Sequence, residues 1–230
     1  MNTQHSELFD DLCRGYRLFA ALGWGDTGDG HISLRDPERS DHFWLLRYGV
    51  PFTEASVDQL VLLDPDGNVV DGEGTVNNPA FRIHHPILTA RPDIVSIAHT
   101  HTPWGTPFSA EVRPVEPITQ EACFFFEDVA LFDDEEVQIQ DLAGGERIAQ
   151  CIGKKHSIIL RNHGLVTAGT TVASAIVRFV LLERVCAAHL RTRNAKPISV
   201  DAARYAQTDL TRPIAFENMF RYLTRHHGVC

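Results

Sequence analysis

Long hydrophobic runs are missing from this chain. No segment approaches the roughly 20 apolar residues that a membrane-crossing helix needs, so no membrane partner is expected. Blocks of lysine and arginine are missing too: 21 basic residues are scattered among 30 acidic ones, giving a formal net charge of −9. An acidic chain without a basic patch argues against nucleic acid or an anionic membrane surface as partner, and its charge serves ordinary solubility. Cysteine is scarce: five residues (Cys13, Cys123, Cys151, Cys186 and Cys230) form no CxxC pair and are odd in number. They read as reduced, mostly buried thiols rather than a disulfide framework. The opening "MNTQHSELFDDLCRGYRLFAALGWGD" carries acidic residues where a secretion signal has positive charge, and it lacks that signal's apolar core. A cytoplasmic protein is expected. No internal repeat, low-complexity tract or Pro/Gly/Ser-rich linker divides the chain, so residues 1–230 are expected to fold as one domain. At 43% hydrophobic, 230 residues suffice for a substantial core.

The apolar spacing of Leu8, Leu12, Tyr16, Phe19 and Leu22 predicts a helix from about Glu7 to Leu22. "GWGDTGDG" then places four glycines in eight residues, a loop through which backbone can approach a neighbour closely. "HISLRD" and "FWLLRYGVPF" read as strands, the second ending at Gly49. "QLVLLDPDGNVVDG" reads as a hairpin turning at Asp66-Gly67. A helix is expected from Pro79 to Pro92, then the strand "IVSIAHTH" and a short helix in "TPWGTPFSAEV". Residues 114–150 read as short strands mixed with an acidic loop. "SIIL" predicts a buried strand and "TVASAIVRFVLLERVCAAHLRTR" a helix of about 20 residues. From about Val200 a further helical tail is expected. The whole is α/β, a sheet covered by helices on both faces.

"IVSIAHTHTPWG" ends an apolar strand in two histidines separated by one residue. Side chains alternate along a strand, so His99 and His101 share a face about 7 Å apart, a workable pair of ligands for one metal ion. A third is offered by "NHG": His163 follows a strand on a turn whose Asn162 and Gly164 tolerate tight or left-handed backbone. Three imidazoles with a position left open suit a catalytic divalent site, whereas a structural zinc site closes with a fourth His or Cys.

With "GHISLRDP", "FTEASVDQLVLLDPDGNVV", "IHHPILTARPDIVSIAHTHTPWG", "QEACFFFEDVA" and "ILRNHGLVTAGTTVASA", the chain resembles the class II aldolase/adducin family from about residue 7 to residue 192. The resemblance implies a three-layer α/β/α fold around a largely antiparallel sheet and a divalent ion held by His99, His101 and His163. It also implies a C4-symmetric homotetramer with active sites at subunit interfaces. The sugar-phosphate aldolases of the family carry a metal-binding, proton-moving glutamate where this chain has Ala80. Their phosphate pocket is depleted here, with His31 in "GHIS" replacing an asparagine, and Cys123 replaces the aspartate of the family's epimerases. These departures match an adducin-like branch. Its cytoskeletal members lack the metal histidines, and some of its bacterial members are metal-dependent decarboxylases of aromatic or keto acids or iron-dependent oxygenases.

Breaking a C–C bond leaves an electron pair that a divalent ion, chelated by a carbonyl and a neighbouring oxygen, stabilises as an enolate. Decarboxylation needs no base to start, only a later proton donor, so loss of the glutamate harms it less than aldol cleavage. Glu121, before the apolar stretch Ala122 to Phe126, is the first candidate donor, because burial would raise its pKa; His31 is the second. A structural carboxylate and a loop anchor are their respective alternative roles. Of His84 and His85, one is expected to face the core or support a ligand. Arg35, Arg47 and Arg82 are each able to pair a substrate carboxylate, with a surface salt bridge as the competing use. Trp104 is a candidate pocket wall. Tyr222, with His226 and His227 in the tail, is a candidate donor to a neighbouring subunit's site. The expected function is a metal-dependent lyase, decarboxylase before aldolase, acting on a small non-phosphorylated keto or aromatic carboxylic acid with one Zn, Mn, Co or Fe ion per chain. The alternatives are an iron oxygenase performing oxidative decarboxylation on the same histidines, and a non-catalytic adducin-like assembly module.

Overall fold

Alternating β-branched and aromatic residues, punctuated by glycine and proline, form eight strands of one sheet in the computed structural model, which describes residues 3–229. The strands are β1 (His31–Arg35), β2 (Phe43–Leu46), β3 (Leu60–Leu63), β4 (Val69–Asp71), β5 (Ser96–Thr100), β6 (Val129–Phe132), β7 (Ser157–Leu160) and β8 (Gly164–Gly169). The helices are α1 (Thr3–Ala21), α2 (Asn78–Ala90), α3 (Gly105–Ser109), α4 (Leu142–Ile152), α5 (Val172–Arg191), α6 (Val200–Leu210) and α7 (Pro213–His226). Across the sheet the order is β4-β3-β2-β1-β5-β8-β7-β6. Neighbours run antiparallel except β6 and β7, which are parallel. Parallel neighbours need a crossover, and α4 supplies it. The α/β class and the largely antiparallel sheet are as expected.

Successive strand residues point to opposite sides, and both sides are buried. Ala98, Ile159 and Leu165 join a cluster with Leu12, Phe19 and Phe179 of α1 and α5. Their neighbours Ile97, Ile158 and Val166 join a second cluster with Ile83 and Ile87 of α2 and Ile148 of α4. This two-sided burial explains why β5, β7 and β8 read as continuous apolar runs rather than as clean alternation. The long helix α5 spans 20 residues, opened by a capping box in which Thr171 and Ser174 satisfy each other's backbone amides.

Two elements differ from the sequence expectation. Residues 142–152, read as part of a strand-and-loop region, form α4, and the tail folds as two helices rather than one. The pair Gly144-Gly145, a helix-weakening signal in sequence, has a packing reason. A Cβ at Gly145 would lie 1.8 Å from the carbonyl oxygen of Arg82, so glycine lets α4 lie directly against α2.

Candidate metal centre

The sheet register builds the centre. His31 of β1 pairs with His99 of β5, and His99 pairs in turn with Val166 of β8. His101 lies just past the end of β5, and His163 sits in the short β7–β8 connection beside it. Asn162 takes a left-handed φ of 56°, as its residue type allows, and this turns the chain sharply enough to bring His163 back over β5. The ring centroids of His99 and His163 are 4.9 Å apart, those of His101 and His163 5.0 Å, and those of His99 and His101 5.5 Å. One nitrogen from each ring falls within 4.8 Å of the others.

The surroundings fix the rings. His99 donates from Nδ1 to the Leu165 carbonyl at 2.8 Å, which leaves its Nε2 as a lone pair. The Asp29 carboxylate lies 3.3 Å from Nδ1 of His101 and accepts from the His101 backbone amide, also at 3.3 Å. Thr100 Oγ1 donates to the Asp29 carbonyl, tying the glycine-rich loop to the end of β5. At Gly30 (φ 96°) a Cβ would come within 2.5 Å of Thr100, so this close approach needs glycine. Behind the triad, buried Glu183 of α5 accepts from Thr102 Oγ1 (2.6 Å), the Trp104 amide (2.9 Å) and the Gly105 amide (2.6 Å). It anchors the chain where it leaves His101, and burial raises its pKa against those three bonds.

Burial pushes the pKa of His99 and His31 well below the ordinary value, and pushes His163 down to about 4. The rings are therefore neutral near pH 7 and able to offer lone pairs. Nδ1 of His163 is a buried atom with no hydrogen-bond partner among the described residues, and a bound ion or water at the cluster would account for such an orphan. Donor type, convergence and this orphan all fit a divalent ion.

A second row of polar groups runs away from the triad. His31 packs against His99 with ring centroids 5.0 Å apart. Its Nδ1 is 2.9 Å from Nε2 of fully buried His84, whose Nδ1 is 2.7 Å from Ser33 Oγ. When Ser33 donates to His84 and His84 donates to His31, the outer nitrogen of His31 carries its hydrogen. His31 also lines a cavity of about 500 Å³ next to the glycine-rich loop.

The other candidate residues have the following surroundings within the single chain. Arg35 lies at the opposite end of β1 from His31, and its guanidinium donates to the carbonyls of Ile94, Ser40, Leu88 and Arg91. Glu121 has 45% of its side chain exposed and pairs with Arg184 at 3.5 Å; the 3₁₀ turn there buries Ala122 to Phe125 and leaves the carboxylate outside. The burial expected for this carboxylate is not found. Trp104 lies next to the Glu183 anchor with the Arg191 guanidinium 4.1 Å over its ring. Tyr222 is 72% exposed and stacks on His226. Ala80 is buried in α2, its methyl group in the core. Asp29 and Glu183 were not anticipated. The signal for Glu183 was present, since it sits in register with Ile176 and Phe179 on the apolar face of α5.

A family model described as Class II Aldolase and Adducin N-terminal domain matches residues 10–190. From Streptomyces roseochromogenus subsp. oscitans, a protein named 4-hydroxy-3-prenylphenylpyruvate oxygenase/4-hydroxy-3-prenylbenzoate synthase is 40% identical over 193 residues, 82% of this chain and 70% of that protein. Decarboxylase NovR of Streptomyces niveus is also 40% identical, over 81% of this chain and 70% of its own length. Among solved structures, the L-fuculose 1-phosphate aldolase from Glaciozyma antarctica PI12 superposes with a TM-score of 0.90 at 33% identity, covering 97% of this chain and 89% of that one. Fold, triad and these likenesses agree: the chain belongs to the class II aldolase/adducin family.

Proposed function

We propose that the chain is a metal-dependent carbon–carbon lyase of the decarboxylase type, acting on a small non-phosphorylated oxo or aromatic carboxylic acid. The observation that carries this reading is the convergence of three imidazoles with no carboxylate among the converging ligand atoms. His99, His101 and His163 would hold the ion, and Zn, Mn, Co and Fe all accept such a set. When bound, the ion supplies Lewis-acid stabilisation of the electron pair released as carbon dioxide departs. Three neutral ligands leave it its full charge, which favours an anionic, bidentate substrate.

The chain's own residues do the rest. Asp29 and the Leu165 carbonyl orient the two β5 histidines, and Glu183 fixes the corner beyond them. His31, held by His84, is the candidate proton donor to the product, ahead of Glu121, because it adjoins both the triad and the cavity. The reading includes the family's three-layer α/β/α arrangement in one domain and a homotetramer. Exposed Tyr205, Ile214 and Tyr222 on α6 and α7 are apolar surface that suits such an assembly. Soluble cytoplasmic placement is part of the same reading.

The test is carbon dioxide release from a panel of oxo and aromatic acids by metal-loaded protein, with and without oxygen. Activity that is lost in His101→Ala while the assembly stays intact supports the lyase. A second reading, oxidative decarboxylation with iron, is favoured by one observation: the relative named as an oxygenase is 40% identical over 193 residues. Oxygen uptake in step with carbon dioxide release would put it first. Absence of turnover by wild-type protein across the panel would favour an assembly module.

A further inference from the structure

Side chains alternate along β1, so His31 and Ser33 share one face while Ile32 between them joins the cluster of α1 and α5. His84 reaches both from α2, with Nδ1 2.7 Å from Ser33 Oγ and Nε2 2.9 Å from Nδ1 of His31. All three residues are buried. Buried polar groups cost stability unless each is satisfied, and this gives the hydrogens along the row an order.

The Ser33 end sets that order. Ser33 Oγ has no other hydrogen-bond partner among the described residues; the Ser96 hydroxyl donates to the Ser33 carbonyl instead. If His84 donated to Ser33, the Ser33 hydrogen would be left buried without an acceptor. Ser33 therefore donates to Nδ1 of His84. Burial keeps both imidazoles neutral, so His84 carries its one hydrogen on Nε2 and donates it to Nδ1 of His31. His31 then carries its own hydrogen on Nε2. That nitrogen has no hydrogen-bond partner among the described residues and is not sealed in. It lies on the flank of the ring away from His84, and the ring both packs on His99 at 5.0 Å and lines the cavity.

A fourth imidazole beside three converging ones would close the centre in the manner of a structural site. A ring nitrogen that already bears hydrogen has no lone pair to give, so His31 adjoins the triad without joining it. We propose that Ser33 and His84 are positioning residues that hold His31 in one tautomer, and that its Nε2–H hydrogen-bonds an oxygen of the anionic acid taken up at the open side of the triad. The acid comes from the lyase reading of the triad; the tautomer rests on the row alone.

The test locates the hydrogens and then reads binding. Neutron diffraction from deuterium-exchanged, zinc-loaded crystals is expected to show deuterium on Nε2 of both His84 and His31 and none on either Nδ1. Ser33→Ala removes the group that sets the order, so deuterium should then divide between the two nitrogens of each ring. Calorimetric titration with oxalate, an acid with no oxo group to react, tests the donor. His31→Leu is expected to bind oxalate about tenfold more weakly at unchanged zinc content, the size of one hydrogen bond to a charged group, and His31→Gln, which keeps an N–H, to recover most of it. Deuterium on Nδ1 of His31 in the wild type overturns the proposal, and that map needs no variant to fold. So does zinc bonded to His31, an unchanged deuterium pattern in Ser33→Ala, or full oxalate affinity in His31→Leu. The expected order and oxalate binding, without carbon dioxide release from any acid, would sink the lyase reading and leave the row standing. Carbon dioxide release by protein whose His31 carries deuterium on Nδ1 would do the reverse.

Discussion

Asp29 contributes to the candidate metal centre without being one of its three imidazoles. Its carboxylate faces Nδ1 of His101 and accepts from the same residue's amide. A carboxylate behind a ligating imidazole fixes ring orientation and raises ligand basicity. Asp29→Asn keeps the shape but removes the charge. It is expected to weaken zinc or manganese binding about ten- to a hundredfold in a chelator-competition titration, with the fold intact by circular dichroism. Unchanged affinity would show that His101 is oriented by the strand alone. At this scale the sequence was most informative about side chains that strand geometry places directly. "HTH" and "NHG" were legible because alternation and a left-handed Asn162 leave little freedom. Asp29 was not, because its role depends on a loop folding back over a strand 71 residues away, and local pattern carries no trace of that contact.

Elements explain the rest of the frame. The α2–α4 contact depends on Gly145, where added carbon would meet the Arg82 carbonyl at 1.8 Å. Gly145→Val should cost about 3 kcal/mol by overpacking, measured as a shift in the urea midpoint at constant slope. A neutral outcome would mean that the two helices separate freely. The same glycines concealed α4 in the sequence, because low helix propensity outweighs periodicity when only local signals are read. Conversely, α5 was fully legible: 20 residues of apolar period outweigh any single conflicting residue, including Glu183. Arg35 shows the opposite limit. Composition places an arginine on a strand near the histidines, but strand direction carries it to the far end of β1, where four carbonyls hold it.

Taken as a whole, the molecule buries several imidazoles in neutral form, and this couples stability to pH. Burial, and then the repulsion that His99 would exert were both rings protonated, holds His84 well below the ordinary histidine value, and burial holds His31 and His99 down as well. In the unfolded chain these rings titrate near 6.5, the usual histidine value. As pH falls through that value the unfolded state takes up protons that the folded state refuses, so stability declines as pH falls. For His163 the decline runs from about 6.5 down to about 4, below which the folded ring is protonated too. The midpoint of thermal unfolding of metal-free protein is therefore expected to drop between pH 7.5 and pH 5, before most carboxylates titrate. A flat profile over that window would contradict neutral burial of the row.

The central claim is that His99, His101 and His163 form one divalent-metal centre. Elemental analysis tests it most directly, on protein purified without chelators or a metal-binding tag, alongside His163→Ala. About one zinc, manganese, cobalt or iron ion is expected per wild-type chain, and its loss in the variant. Wild-type protein that contains no metal and takes up none on addition would contradict it, as would undiminished metal content in His163→Ala.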